Sequence, residues 1–338
     1  MKTDATKTDA MKAVCVVGAG SWGTALAMVL ARHGREVRLL ARDAQKAAGM
    51  QQARSNATYL PGINFPVSLR VTASVEEALA GTAAVVVATP CSAAGSILPS
   101  VADVCDGPVI AAFKGLDPVS FERTDELLLR HVGRERAAIL SGPSFALEVA
   151  RGLPTAITMA ADNLQLAQQA GDFFDDTAFR IYSSDDLAGV ALGGALKNVI
   201  AIAAGIAAGL KLGHNAESAV VTRGLAELMR LAGAAGARRE TLMGLSGLGD
   251  LVLTCTGELS RNRRLGMALA EGLKPDAAQA RIGQVAEGVR TAAAVHAMAK
   301  SMAVDVPLME AVNLVLLGKL QAAAAVSRLM ARPERSEF

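Results

Sequence analysis

The sequence predicts an α/β protein, with an N-terminal doubly wound parallel sheet and an all-α C-terminal domain. Three observations carry that expectation. Over the first half, short apolar runs end repeatedly in Gly or Pro, as strands buried on both faces of a parallel sheet do. Segments of helical composition separate those runs, the alternation that crossover units require. Near residue 186 strand patterns cease, and helix-length apolar segments broken by Gly or Pro take over. At 338 residues the chain is longer than one compact core usually supports. The change of texture divides it into a first domain at 11–187 and a helical domain at 188–330.

Residues 13–17 read as the first strand, and 24–32 as a helix stopped by His33-Gly34. A second strand at 36–41 completes one βαβ unit. Further strands are expected at 83–89, 109–113 and 137–140, with weaker ones at 155–160 and 179–182. Helices are expected at 75–80 and 121–131, and in the second half over 188–210, 216–234, 262–271, 276–281, 287–302 and 307–316.

Composition narrows the function classes. The formal net charge is +2 and aromatics make up 3% of residues. Neither a polyanion-binding face nor a stacking platform for bases is expected, so nucleic acid is excluded as a partner. Cys15, Cys91, Cys105 and Cys255 are scattered without metal-ligand spacing. They read as reduced, buried thiols of a cytoplasmic protein, with no metal site. The stretch 187–210 is long enough to cross a bilayer, but Lys197 and Asn198 stand in its middle, where charge is costly in lipid. A buried core helix is the better reading, and no membrane span is expected. Residues 1–10 repeat Lys-Thr-Asp-Ala and lack the apolar core of a secretion signal. They are expected to form a disordered extension, and 331–338 a tail.

Gly18-Ala19-Gly20-Ser21-Trp22-Gly23 follows the first strand and opens the first helix. In that context the spacing has a mechanism. Gly18 permits the tight turn, Gly20 lets the backbone approach a pyrophosphate, and Gly23 lets helix and strand pack closely. The helix N-terminus then presents N–H groups and partial positive charge to phosphate. At the tip of the second strand stands Ala41-Arg42-Asp43. An acid there suits the adenosine ribose, and an Arg suits the 2′-phosphate of NADP. Arg42 lies nearer the tip, which favours NADP with NAD tolerated. Two solvated charges at a helix start would read the same way.

Lys197 stands in a long apolar helix with almost no other charge. Burying an ammonium is costly and lowers its pKa, which suits proton exchange in carbonyl–alcohol chemistry. A lysine snorkelling from a half-buried helix is the alternative. Asp250 ends the glycine-rich Gly244-Leu245-Ser246-Gly247-Leu248-Gly249, placed to hold a substrate hydroxyl or to pair with Lys197. Ser260 suits a helix N-cap. Arg261, at that helix start, makes with its N–H groups a cradle for phosphate, or else one end of a solvated basic helix.

Read together, these segments resemble bacterial NAD(P)-dependent glycerol-3-phosphate dehydrogenases. The matching runs span nearly the whole chain: GAGSWGTALA at 18–27, FKGL at 113–116, LSGPSFALE at 140–148, GGALKNVIAIAAGI at 193–206, VTRGLAE at 221–227, GLGDLVLTCT at 247–256, SRNRR at 260–264 and VAEGVRT at 285–291. The resemblance implies a Rossmann-type sheet and an all-α domain of the 6-phosphogluconate-dehydrogenase-like kind. It implies Lys197 as general acid/base. It implies substrate contacts at Lys114, Gly142, Ser144, Asp250, Ser260, Arg261 and Asn262. Cofactor contacts are implied at Gly18, Gly20, Ser21, Trp22, Gly23, Arg42, Lys114, Ala146, Arg261, Val285 and Glu287. The implied reaction is hydride transfer from NADP or NAD that interconverts dihydroxyacetone phosphate and glycerol 3-phosphate, supplying phospholipid synthesis in a homodimer. Its site is expected at the carboxyl ends of the strands, between the domains. Phe113 departs from the family pattern, where a small residue is usual, and is expected to reshape the pocket wall. Arg42 stands where relatives often have His. A relative acting on a hydroxy acid, as in the 6-phosphogluconate-like dehydrogenases, and a dinucleotide sensor without turnover are the competing readings.

Overall fold

Runs of three to seven residues, the central ones apolar throughout, become the strands of one eight-stranded sheet. They are Val14–Val17 (β1), Val37–Leu40 (β2), Leu69–Thr72 (β3), Ala84–Val87 (β4), Val109–Ala111 (β5), Ala137–Ser141 (β6), Thr155–Ala161 (β7) and Phe179–Ser184 (β8). The computed structural model describes residues 13–333 except 118, 119, 121, 175 and 284. The extension at 1–10, the start of the helix expected at 121 and residues 334–338 of the tail lie outside the described residues.

The strand order is β3-β2-β1-β4-β5-β6-β7-β8. Strands β1 to β6 are parallel, with β1 central and Val16 facing Leu39 on one side and Val86 on the other. β1, β4, β5 and β6 are buried throughout, as their unbroken apolar runs require. One expectation is corrected: the sheet is not parallel throughout. β7 runs antiparallel to β6, with Ser141 opposite Thr158. Only the single-turn helix Ala146–Ala150 (to be called the 146 helix) joins the two, too short to carry the chain back for a parallel crossover. β8 then returns parallel to β7 after the helix Leu164–Gly171.

The helix Ser21–Ala31 (α1) follows β1, Ala44–Ala53 (α2) follows β2, and Cys91–Val104 follows β4. The chain divides into two compact units between Ala191 and Leu192, inside the long helix Leu187–Gly209 (the 187 helix). The second unit is helical. Its elements include His214–Ala234, Asp250–Thr256, Arg261–Ala270 (the 261 helix), Pro275–Ile282, Gly288–Ser301 and Pro307–Leu316.

The 187 helix has the length and hydropathy of a membrane span, but 94% of its most apolar window is buried inside the protein. It is a core helix, as its Ala/Gly content and central Lys–Asn pair suggest. Its packing uses small residues. A Cβ on Gly266 would lie 2.0 Å from the Ile202 carbonyl oxygen, and one on Gly205 2.0 Å from that of Arg263. The 187 and 261 helices therefore meet backbone to backbone. All four cysteines are free and buried, and burial pushes the Cys15 and Cys255 thiols up to about 12. Among the described residues no His, Cys, Asp and Glu cluster could hold a metal ion.

Candidate active site

In the first unit the chain turns sharply after β1. Gly18 takes φ +110°, and a Cβ there would stand 2.8 Å from the Ala88 carbonyl oxygen. A Cβ on Gly23 would fall 1.9 Å from the Gly18 oxygen, so these two positions admit only glycine. Gly20 differs: a Cβ there would meet nothing within 4 Å. It is the N-cap of α1, in extended conformation, and no side chain caps the helix. The turn thus leaves an uncovered backbone face at a helix N-terminus, the form a pyrophosphate requires. Buried polar atoms without a partner lie in the neighbouring residues: Nε1 of Trp22 and Oγ1 of Thr89, which follows β4. These features fit a bound dinucleotide.

Asn56 fastens the turn from its inner side. Its Nδ2 donates to the Ala19 carbonyl oxygen at 3.0 Å and to Thr24 Oγ1 at 2.9 Å. No spacing in the sequence marked this residue. At the tip of β2 the two charged residues separate in role. Asp43 is the N-cap of α2 and accepts from the Lys46 N–H at 2.8 Å, whereas Arg42 is exposed. The acid is committed to the helix, and the guanidinium is presented to solvent.

Three sequence-marked residues meet beyond β5 and β6. Lys114 Nζ donates to the Gly142 carbonyl oxygen at 3.2 Å, and Ser144 Oγ donates to the same oxygen at 3.0 Å. Ala146 opens the 146 helix directly after them. The expectation for Phe113 is corrected: its ring is 5% exposed and lies in the core with Val87, Cys91 and Ala111. Successive residues leaving a strand point to opposite sides, so burying Phe113 directs Lys114 the other way.

In the second unit Lys197 is 7% exposed and Asp250 1%. The two form an ion pair, and Lys197 Nζ also donates to Thr254 Oγ1 at 2.9 Å. The Thr254 hydroxyl in turn donates to the Asp250 main-chain oxygen at 2.6 Å. Local structure explains the meeting. The glycine-rich run forms a wide π-turn at Leu245–Gly249, which lies against Gly193, where a Cβ would come 2.6 Å from the Ser246 carbonyl oxygen. Residue 197 is one helical turn beyond 193 on the same face, so the close approach at Gly193 delivers Asp250 to Lys197. Snorkelling is excluded: the amine is buried and paired.

Ser260 caps the 261 helix as expected, accepting from the Arg263 N–H at 3.2 Å. Arg261 is exposed at the helix start. Asn262 is buried; its Nδ2 donates to Asn198 Oδ1 at 2.9 Å, and its Oδ1 accepts from the Gly288 N–H at 3.0 Å. Val285 is exposed and Glu287 half-buried just before that glycine. Thus Asn262 links the residues next to Lys197 and next to Glu287. Thr254 and Asn198 are the residues here that pattern alone did not single out.

The family described as NAD-dependent glycerol-3-phosphate dehydrogenase, N-terminus, matches residues 13–167, and its C-terminus matches residues 186–327. A Thioalkalivibrio sulfidiphilus (strain HL-EbGR7) protein named glycerol-3-phosphate dehydrogenase (NAD(P)+) is 50% identical over 96% of this chain and 98% of its own. One of the same name from Stenotrophomonas maltophilia (strain K279a) is 46% identical over 96% of each chain. The crystal structure of glycerol-3-phosphate dehydrogenase from Coxiella burnetii is 40% identical, with a TM-score of 0.91 over 96% of this chain and 100% of that one.

Proposed function

The chain belongs to the NAD-dependent glycerol-3-phosphate dehydrogenase family, and from that premise we propose that it interconverts dihydroxyacetone phosphate and sn-glycerol 3-phosphate with NAD(P)H, using Lys197 to give and take the proton. The observation that carries this reading is the buried Lys197–Asp250–Thr254 constellation. Bound NAD(P)H supplies the hydride for the C2 carbonyl carbon of the substrate. As charge grows on the carbonyl oxygen, Lys197 Nζ stabilises it and delivers a proton. In the oxidative direction the neutral amine takes the proton of the C2 hydroxyl. Asp250 supplies the counter-charge, and Thr254 Oγ1 fixes the direction of the amine.

The remaining roles divide between the units. In the second, Arg261 and the N–H groups of the 261 helix hold the phosphate, with Ser260 and Asn262 shaping that end. Binding energy from this non-reacting group positions the carbonyl. In the first, Lys114, Gly142 and Ser144 hold substrate. Gly18, Gly20, Ser21, Trp22, Gly23, Arg42 and Ala146 hold the dinucleotide, and Val285 and Glu287 are further cofactor contacts. The first domain, 11–187, is the dinucleotide-binding one and 188–330 the substrate domain. A cytoplasmic homodimer supplying glycerol 3-phosphate to phospholipid synthesis completes the proposal.

The test is oxidation of NADPH and of NADH, side by side, with dihydroxyacetone phosphate. Lys197→Ala is expected to lower kcat by at least ~100-fold, the low end for general acid/base groups, with cofactor still bound. Turnover of short keto acids only, or unchanged kcat in the variant, overturns the reading.

A further inference from the structure

Arg32 is the C-cap of α1, at the opposite end of that helix from the glycine turn. Its guanidinium serves three acceptors. Nη2 donates to the main-chain oxygens of Val149 at 2.7 Å and Ala150 at 3.0 Å, and Nη1 pairs with Asp176 at 2.9 Å. The first two are the last carbonyls of the 146 helix, where intrahelical donors run out; the Val149 oxygen also accepts from the Gly152 N–H at 3.0 Å. The Arg32 and Asp176 side chains are 21% and 5% exposed. Asp176 is held in turn, accepting from the Ala178 N–H at 2.7 Å in the turn that enters β8. Its carboxyl lies below its ordinary value: burial raises it, but the Ala178 N–H and Arg32 lower it further.

The two helices share one core, with Leu26 and Leu30 from α1 and Val149 and Ala150 from the 146 helix. A helix of one turn has too little internal hydrogen bonding to hold its own course. Its position is therefore set by its packing on that core and by what grips its ends, and Arg32 with the Gly152 N–H grips the C-terminal one. The planar fork of donors spans two carbonyls and a carboxylate in fixed directions, a spread that a point-like ammonium does not offer. The other end of this helix begins at Ala146, immediately after Phe145 and the Gly142-Pro143-Ser144 loop that leaves β6.

We infer that Arg32 is a positioning residue for the reaction: by clamping the end of the 146 helix to the end of α1, it fixes Gly142, Ser144 and Ala146 relative to the glycine turn. The inference rests on the substrate and cofactor roles proposed for those three residues. Arg32 touches neither ligand and acts through the helix it holds.

The test uses the full chain, with each variant assayed at a temperature where circular dichroism shows it fully folded. Trp22 is the single tryptophan, so quenching of its fluorescence by NADPH reads cofactor affinity without turnover. Arg32→Lys keeps the charge but loses the fork. It is expected to raise the NADPH Kd and the dihydroxyacetone phosphate KM by about 10-fold each, within the range produced by sub-ångström misplacement of contacts. Asp176→Asn leaves both carbonyl contacts and is expected to have a smaller effect on both. Arg32→Met removes the clamp entirely; if it does not fold, Arg32→Lys carries the test. A lowered Tm with Kd and KM within about twofold of the unaltered protein would make the clamp a matter of stability alone and overturn the inference. Failure of the unaltered protein to reduce dihydroxyacetone phosphate would count against the proposed function, while the NADPH affinities would still decide the role of Arg32.

Discussion

Replacing Thr254 with valine tests whether the hydroxyl beside Lys197 matters to the chemistry. The two side chains have the same branched shape, and Thr254 is buried in a helix, so the substitution keeps the packing and removes one oxygen. That oxygen accepts from Lys197 Nζ at 2.9 Å and donates to the Asp250 carbonyl at 2.6 Å. A hydrogen bond to a charged group contributes about 1.5–3 kcal/mol. If it acts in directing the amine during proton transfer, its loss appears in kcat as roughly 10- to 100-fold. KM for NADPH should stay within about twofold, since the residues proposed to hold the dinucleotide in the first unit are untouched. The measurement is steady-state kinetics of dihydroxyacetone phosphate reduction with both substrates varied. A second arm removes ambiguity. In a Lys197→Ala background, adding Thr254→Val should cost little more, because residues acting as a unit are not additive. A kcat within twofold of the unaltered enzyme, or a full additional loss in the double variant, would refute the role given to Thr254.

Two further outcomes are expected. Glu227 is 3% exposed and accepts the N–H groups of Leu308 and Met309 at 2.8 and 3.0 Å; burial, outweighing those donors, pushes its carboxyl from 4.5 up to about 7. The folded group binds its proton more tightly than the unfolded one, so its contribution is full below pH 4.5 and lost as pH rises through 7, about 3 kcal/mol in all; urea unfolding should show Glu227→Gln gaining that much on the unaltered protein between pH 4.5 and 8, and an unchanging offset would contradict it. Arg42→Ala should raise KM for NADPH by about 10-fold, the worth of one charge-assisted contact to phosphate, and leave KM for NADH unchanged; equal effects on both cofactors would remove Arg42 from the 2′-phosphate site.

Legibility in the sequence followed how much of an element is buried. β1, β4 and β6 are buried along their whole length and read directly as apolar runs. β3 was missed: in Leu69-Arg70-Val71-Thr72 Arg70 is exposed and Thr72 half-buried, and four residues at a sheet edge carry too little pattern. α2 was missed because only Ala47 is buried among its ten residues, which leaves no apolar stripe. Pro99 hid the helix Cys91–Val104. The direction of β7 is set by the length of the connection before it, and the run itself reads the same either way. Lys197 was legible as the one charge in an apolar helix, and Asp250 as an acid after glycines. Asn56 was not, because its partners, in the glycine turn and in the first turn of α1, lie 37 and 32 residues away and an amide in a loop has no periodicity to betray it.

The Lys197–Asp250 pair is poorly explained as a stabilising device. Taking both charges out of water costs several kcal/mol per ion, and a well-packed apolar pair in the same volume is commonly neutral or more stable. Every other residue of the 187 helix is uncharged, and the helix is built to pack without help from charge, its backbone meeting the 261 helix at Gly205 and Gly266. The same closeness at Gly193 brings the π-turn, and hence the acid, against the amine. Away from water the interaction of an ammonium with a developing alkoxide is far stronger than in solution, and with Asp250 and Thr254 both engaging Nζ the amine has little freedom to turn away. Burial here costs stability and holds the amine in a fixed direction, the arrangement that the proposed proton transfer calls for.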